Sequence, residues 1–148
     1  MLPSAVEAKT RIIERLAEPF VDQRDRELSE HTVRKLIGQR VFAPAPGDED
    51  LNGHDRLRPD PVLATAVGKL DPTGAGRRGA QDRGKAWAGS STLDRLESTP
   101  LDADSGSRYK KSAADVAGID AWMMSRALGF HGEAPEHIRL ALDATDDP

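Results

Sequence analysis

Apolar residues recur at helical spacing along most of this chain and alternate at strand spacing in one short stretch near its end. That change of period limits the folds open to it. In "AVEAKTRIIERLAEPF", Ile12, Ile13, Leu16, Ala17 and Phe20 share one face of an amphipathic helix, with Pro19 interrupting near its end. In "ELSEHTVRKLIGQRVF", Leu28, Val33, Leu36, Ile37 and Val41 do the same, and the prolines and glycine of "APAPGDED" stop the helix. Asn52-Gly53 predicts a tight turn, and "DPVLATAVGKL" opens a helix with Asp60 as N-cap and Pro61 at the first helical position. Ser91 followed by Asp94 in "SSTLDRLE" reads as a capping box. Pro100 to Ser107 reads as loop, and a long helix is expected from Tyr109 to Leu128, with Val116, Ile119, Trp122 and Met123 at core spacing and Gly129 and Gly132 ending it. Met124 joins Trp122 and Met123 as packing residues. After Pro135 the period becomes two: Ile138, Leu140 and Leu142 alternate with Arg139, Ala141 and Asp143. This predicts a strand with Asp143 at its end, on the face opposite the leucines.

The apolar material available to these elements is thin. Hydrophobic residues make up 37% and aromatics 4%, against 31% charged residues, 13 glycines and 10 prolines, so a marginal or partner-dependent core is expected in a chain of one-domain size. The chain has no cysteine, which excludes disulfides, thiolate metal sites and thiol nucleophiles. The first residues have scattered charges and no apolar run of signal length, and no stretch approaches the ~20 apolar residues that span a bilayer. A cytoplasmic protein that does not enter a membrane is the expectation.

A net charge of -4 gives no global attraction to nucleic acid, so any such binding has to rest on a local patch. Residues 71–89 form a Gly-rich stretch without periodicity, read as loop, and the segment from Lys69 to Lys85 has five basic residues (Lys69, Arg77, Arg78, Arg83, Lys85) against Asp71 and Asp82. It is a candidate contact for a nucleic-acid backbone. Gly74, Gly76 and Gly79 also spell G-x-G-x-x-G, and Gly79 to Lys85 spells G-x-x-x-x-G-K with Ala86 where magnesium binding needs Ser or Thr. Both nucleotide motifs require a strand entering and a helix leaving, and here a helix and "DPTG" enter. His31, His54, His131 and His137 lack metal-ligand spacing. The closing "DATDDP" is compatible with an acidic tail, the start of a calcium loop that runs out of residues, or a carboxylate aimed at magnesium from a strand end.

In order along the chain, "QRVFAPAPGDEDLNGHDRLRPDPVLATAVGKLDPTG", "RGKAWAGSSTLDRLE", "RYKK" and "LALDATDDP" resemble bacterial DDE transposases of the insertion-sequence 1380 family, also described as transposase DDE domain group 1. The resemblance covers about Phe20 to Pro148. It implies a mainly α fold: a helical amino-proximal region over 1–134, including the basic loop at 71–89, then over 135–148 the first strand of an incomplete ribonuclease-H-like domain. It implies Mg2+ as cofactor, held by two Asp and a Glu, to activate water or a DNA 3′-hydroxyl and stabilise the leaving oxygen. It matches Asp143 to the first catalytic Asp and metal ligand, with Asp146 as a further metal candidate. It makes DNA, at the terminal inverted repeats of an insertion sequence, the expected partner, alongside a transposase oligomer. The DNA-contacting residues would be Lys69, Arg77, Arg78, Arg83, Lys85, Arg108, Lys110 and Lys111. The chain departs from the family at Pro44, Pro46, Asp48 and Gly53, at Ser90 and Asp94, and at Ala141, which thins the acidic cluster. The second Asp and the Glu have no counterpart here. The expectation is therefore a transposase piece truncated at both ends, inactive in DNA cleavage by itself. The alternative is a non-catalytic helical module that binds DNA or transposase.

Overall fold

A computed structural model describes residues 2–43, 51–99, 106, 112–131 and 136–137, without the side chains of residues 2–4, 6, 51 and 52. Along the chain run α1 (Leu2–Thr10), α2 (Ile12–Ala17), β1 (Phe20–Asp22), α3 (Val33–Phe42), α4 (Leu51–Leu57), α5 (Pro61–Ala66), a 3-10 turn over Ala80–Asp82, α6 (Ser90–Glu97), β2 (Ser112–Ala114) and α7 (Val116–Gly129). The described residues are mainly helical, as the sequence predicts.

The first amphipathic segment is two helices. Arg11 turns into the left-handed region at φ 51°, and the Glu7 carboxylate reaches past it to accept the backbone N–H groups of Ile13, at 2.9 Å, and Glu14, at 3.4 Å. Glu7 thus satisfies amides that a helix start otherwise leaves open. Phe20 leaves this helix for β1. The second segment begins later than its periodicity suggests. The carboxylates of Asp22 and Asp25 accept the backbone N–H groups of Arg24 and Glu27, which commits 22–27 to turns, and Thr32 then caps α3 through Lys35 N. Leu28 lies outside the helix and is 74% exposed.

Asn52-Gly53 forms no turn and lies inside α4. Tertiary packing overrides the local preference: His54 is fully buried against α3, its Nδ1 at 3.4 Å from Gln39 Nε2 and its Nε2 at 3.1 Å from Arg40. α5 starts as expected, with Asp60 Oδ1 accepting from Val62 N and Leu63 N. It ends at Gly68, φ +72°, where Gly68 N bonds Thr65 O and Lys69 N bonds Ala64 O in a Schellman arrangement. The capping box at Ser91 does not form. α6 begins two residues earlier, with Gly89 at its N-cap, and Asp55 of α4 accepts both Ser90 N and Ser90 Oγ.

The core has two adjoining parts. Ile13, Val33, Leu36, Ile37, Ala88, Leu93 and Leu96 join α2, α3 and α6, while Ala64, Val67, Ala86 and Trp87 form the second part. The run Ala86-Trp87-Ala88 passes through both, and Gln39 makes its burial affordable. The Gln39 amide donates to Ala88 O and accepts from Ala88 N, each at 3.0 Å, so neither backbone group is left unpaired.

The long helix expected from Tyr109 starts instead at Val116, because Ser112–Ala114 pairs antiparallel with β1 (Phe20↔Ala114, Val21↔Ala113, Asp22↔Ser112). Asp115 caps α7 through Gly118 N. The core role expected for this helix is also overturned. No α7 residue is buried; Val116, Met123, Met124 and Leu128 are more than half exposed, and Trp122 is half-buried. The strand expected at Ile138 to Leu142, and most of 100–107 and 44–50, lie outside the described residues.

Candidate nucleic-acid interface

The basic segment after α5 is irregular but folded back tightly on itself. The Asp71 carboxylate accepts Thr73 Oγ1 at 2.9 Å, Ala75 N at 3.3 Å and Gly76 N at 2.7 Å. Those hydrogen bonds hold the Asp71 carboxyl below its ordinary range, that of Gly76 most strongly. They also settle what the glycine motif does: amides that would cradle a phosphate already hold an internal carboxylate. Gly74, at φ +69°, lets the chain return, since a Cβ there would lie 2.6 Å from Ala86 N and from Lys85 C.

Two of the cations singled out by sequence face inward. Arg77 donates to Lys85 O at 2.9 Å, Trp87 O at 3.2 Å and Glu30 at 2.8 Å, and its third nitrogen lies 3.7 Å from Asp82. With a side chain only 11% exposed, it ties the 24–31 loop to the returning segment 85–87. Lys69 donates to Ala86 O and lies 3.1 Å from His31 Nδ1. Burial, then the neighbouring Arg77 and Lys35, lower the Lys69 ammonium to about 7. Burial, then Lys69, push His31 down to about 2, so its ring is neutral. A neutral ring accepting at Nδ1 carries its proton on Nε2, which is buried without a hydrogen-bond partner. Arg58 pairs with Asp82 and lowers that carboxyl.

Three cations are left for an outside partner. Arg78 and Arg83 are exposed and Lys85 is half-buried. Among the described residues, Arg83 Nε and Lys85 Nζ bond backbone carbonyls, those of Arg77 and Gln81, and neither makes an ion pair with a carboxylate. Among the described residues, no hydrogen bond or ion pair holds the Arg78 guanidinium. One tight turn therefore brings Arg78, Arg83 and Lys85 together. Arg108, Lys110 and Lys111 lie outside the described residues, as do Asp143 and Asp146. Among the described residues, no group of three or more His, Asp or Glu could hold a metal ion.

Sequence reasoning did not find Glu30, His31 and Arg58, the side chains that brace the turn, nor Arg24, which holds His31 O. Their partners lie up to 48 positions away, as for Glu30 and Arg78, beyond any local pattern. Nor did it find the Asp71 turn, for which Asp-Pro-Thr-Gly was an available signal.

No helix among the described residues is long and apolar enough to cross a membrane. The family model for transposase DDE domain group 1 matches residues 1–148. No curated protein and no solved structure matches the chain.

Proposed function

Because the chain belongs to the transposase DDE domain group 1 family, we propose that it serves the transposition of a bacterial insertion sequence, in the cytoplasm, as the DNA-engaging portion of a DDE transposase. The family match over the full sequence carries this reading. Families of this kind act on DNA and use divalent metal. Arg78, Arg83 and Lys85 contact the phosphate backbone, joined by Arg108, Lys110 and Lys111, while Arg77 and Lys69 hold the turn in shape from behind. Asp143 is the first catalytic carboxylate and a magnesium ligand, with Asp146 beside it. By the resemblance, Asp143 stands for the first Asp of the triad. The reading therefore gives these residues DNA engagement, not cleavage by themselves.

A gel-shift series with inverted-repeat and scrambled DNA tests it. Binding that favours the inverted repeat and weakens with salt is expected. No binding to either DNA at low salt would sink the reading. A second reading, a non-catalytic module that binds transposase, is favoured by the apolar exposure of α7. It predicts co-elution with full-length transposase and no DNA shift.

A further inference from the structure

The 24–31 loop and the basic turn border a cavity of about 440 Å3 that is open to solvent, lined among others by Arg24, Glu30, Arg77, Arg78, Gln81 and Asp82. Into it the turn presents two donors that converge on one anionic group: Arg77 Nε reaches one Glu30 oxygen at 2.8 Å, and the Arg78 backbone N–H reaches the other at 2.7 Å. A guanidinium N–H and a backbone N–H meeting on a pair of oxygens is an arrangement that suits a phosphate as well as a carboxylate. Arg77 Nη1 is fixed on the carbonyls of Lys85 and Trp87 and Nη2 lies 3.7 Å from Asp82, so the Nε edge of the guanidinium keeps its direction whatever occupies the cavity. Glu30 comes from a different loop, and its side chain is 24% exposed, so it can swing out without unpacking the core. The Arg78 side chain lines the same cavity with its charge unpaired among the described residues.

We propose that this cavity is a binding site for one phosphate group of a DNA strand, and that the Glu30 carboxylate holds the phosphate's place until DNA displaces it. The assignment rests on the DNA-binding reading above and adds to it an internal competitor. Glu30 moderates binding: DNA gains the Arg77 Nε and Arg78 N–H contacts only after breaking the two that Glu30 makes.

The test compares the wild-type chain with Glu30→Gln in fluorescence-anisotropy titrations of labelled duplex, with thermal melts as the fold control. Glu30→Gln is expected to bind DNA about three- to five-fold more tightly, the equivalent of removing one ionic competitor. In the wild-type chain, inorganic phosphate should shift the Arg78 backbone amide in 1H-15N spectra, which needs no variant to fold. DNA binding with a Glu30→Gln affinity equal to or below wild type, at a retained melting temperature, would overturn the assignment alone. An Arg78 amide that does not respond to phosphate would do the same. If neither protein binds DNA at low salt, the DNA-binding reading falls and takes this assignment with it.

Discussion

His31 and Lys69 are a buried neutral ring and a cation with no carboxylate of its own, in contact at 3.1 Å. Their depressed pKa values tie stability to pH. His31 titrates near 2 in the folded chain and near 6.5 when unfolded, so between those values the unfolded chain binds more protons and stability falls as pH falls. By pH 5 the loss from this one residue is roughly 2 kcal/mol. Lys69 acts in a higher window: from about 7 to its ordinary 10.5, raising the pH removes a charge that burial disfavours, and stability rises. The carboxyls of Asp22, Asp55, Asp71 and Asp82 are all lowered and lose their contributions only below the ordinary carboxylate range. Urea unfolding at pH 7.5 and pH 5 should therefore show a drop that shrinks in His31→Gln. An equal drop in both proteins would place its origin elsewhere. Gln39 is the other residue on which much depends. Gln39→Ala leaves Ala88 N and O buried without partners, with an expected loss of ~2–4 kcal/mol in the same measurement.

Among the elements, α5 shows what local chemistry can settle. Asp60→Ala should cost ~1 kcal/mol, because two first-turn amides lose their acceptor. The glycines around the basic turn separate strain from crowding. Gly68→Ala meets nothing within 4 Å and bears only the left-handed backbone penalty, ~1 kcal/mol, whereas Gly74→Ala adds a backbone collision at 2.6 Å and should lower the melting temperature far more. Equal losses would show that the turn relaxes around a new Cβ. The start of α5 was legible because Asp60 and Pro61 act on residues two or three places away. The β1–β2 pairing was not, because two three-residue strands joined across 90 positions carry no alternation to read. The late start of α3 was hidden for a different reason: Asp22 and Asp25 bind their own backbone and outcompete a helical pattern. Of the candidate interface, the excess of positive charge was legible. Which cations are spent internally was not, since that depends on Glu30, His31 and Asp82 arriving from distant segments or from the far side of the turn.

At the scale of the molecule, a small two-part core holds one face of the chain, and the basic turn is fastened to it by Arg77 and Lys69. Arg77→Gln should destabilise the protein by ~3 kcal/mol, since it breaks a largely buried network and leaves carboxylates and carbonyls without a donor. α7 lies outside that core, with Phe130 80% exposed at its end. The division between inward and outward cations leads to the most direct test of the DNA-engaging role. The measurement is the salt dependence of duplex binding by the wild-type chain and by a variant carrying Arg78→Gln, Arg83→Gln and Lys85→Gln. With three phosphate contacts removed, the slope of log K against log salt should become shallower by about 2.7 while the melting temperature stays within a few degrees of wild type. A slope unchanged by the triple substitution would contradict the placement of DNA on this turn.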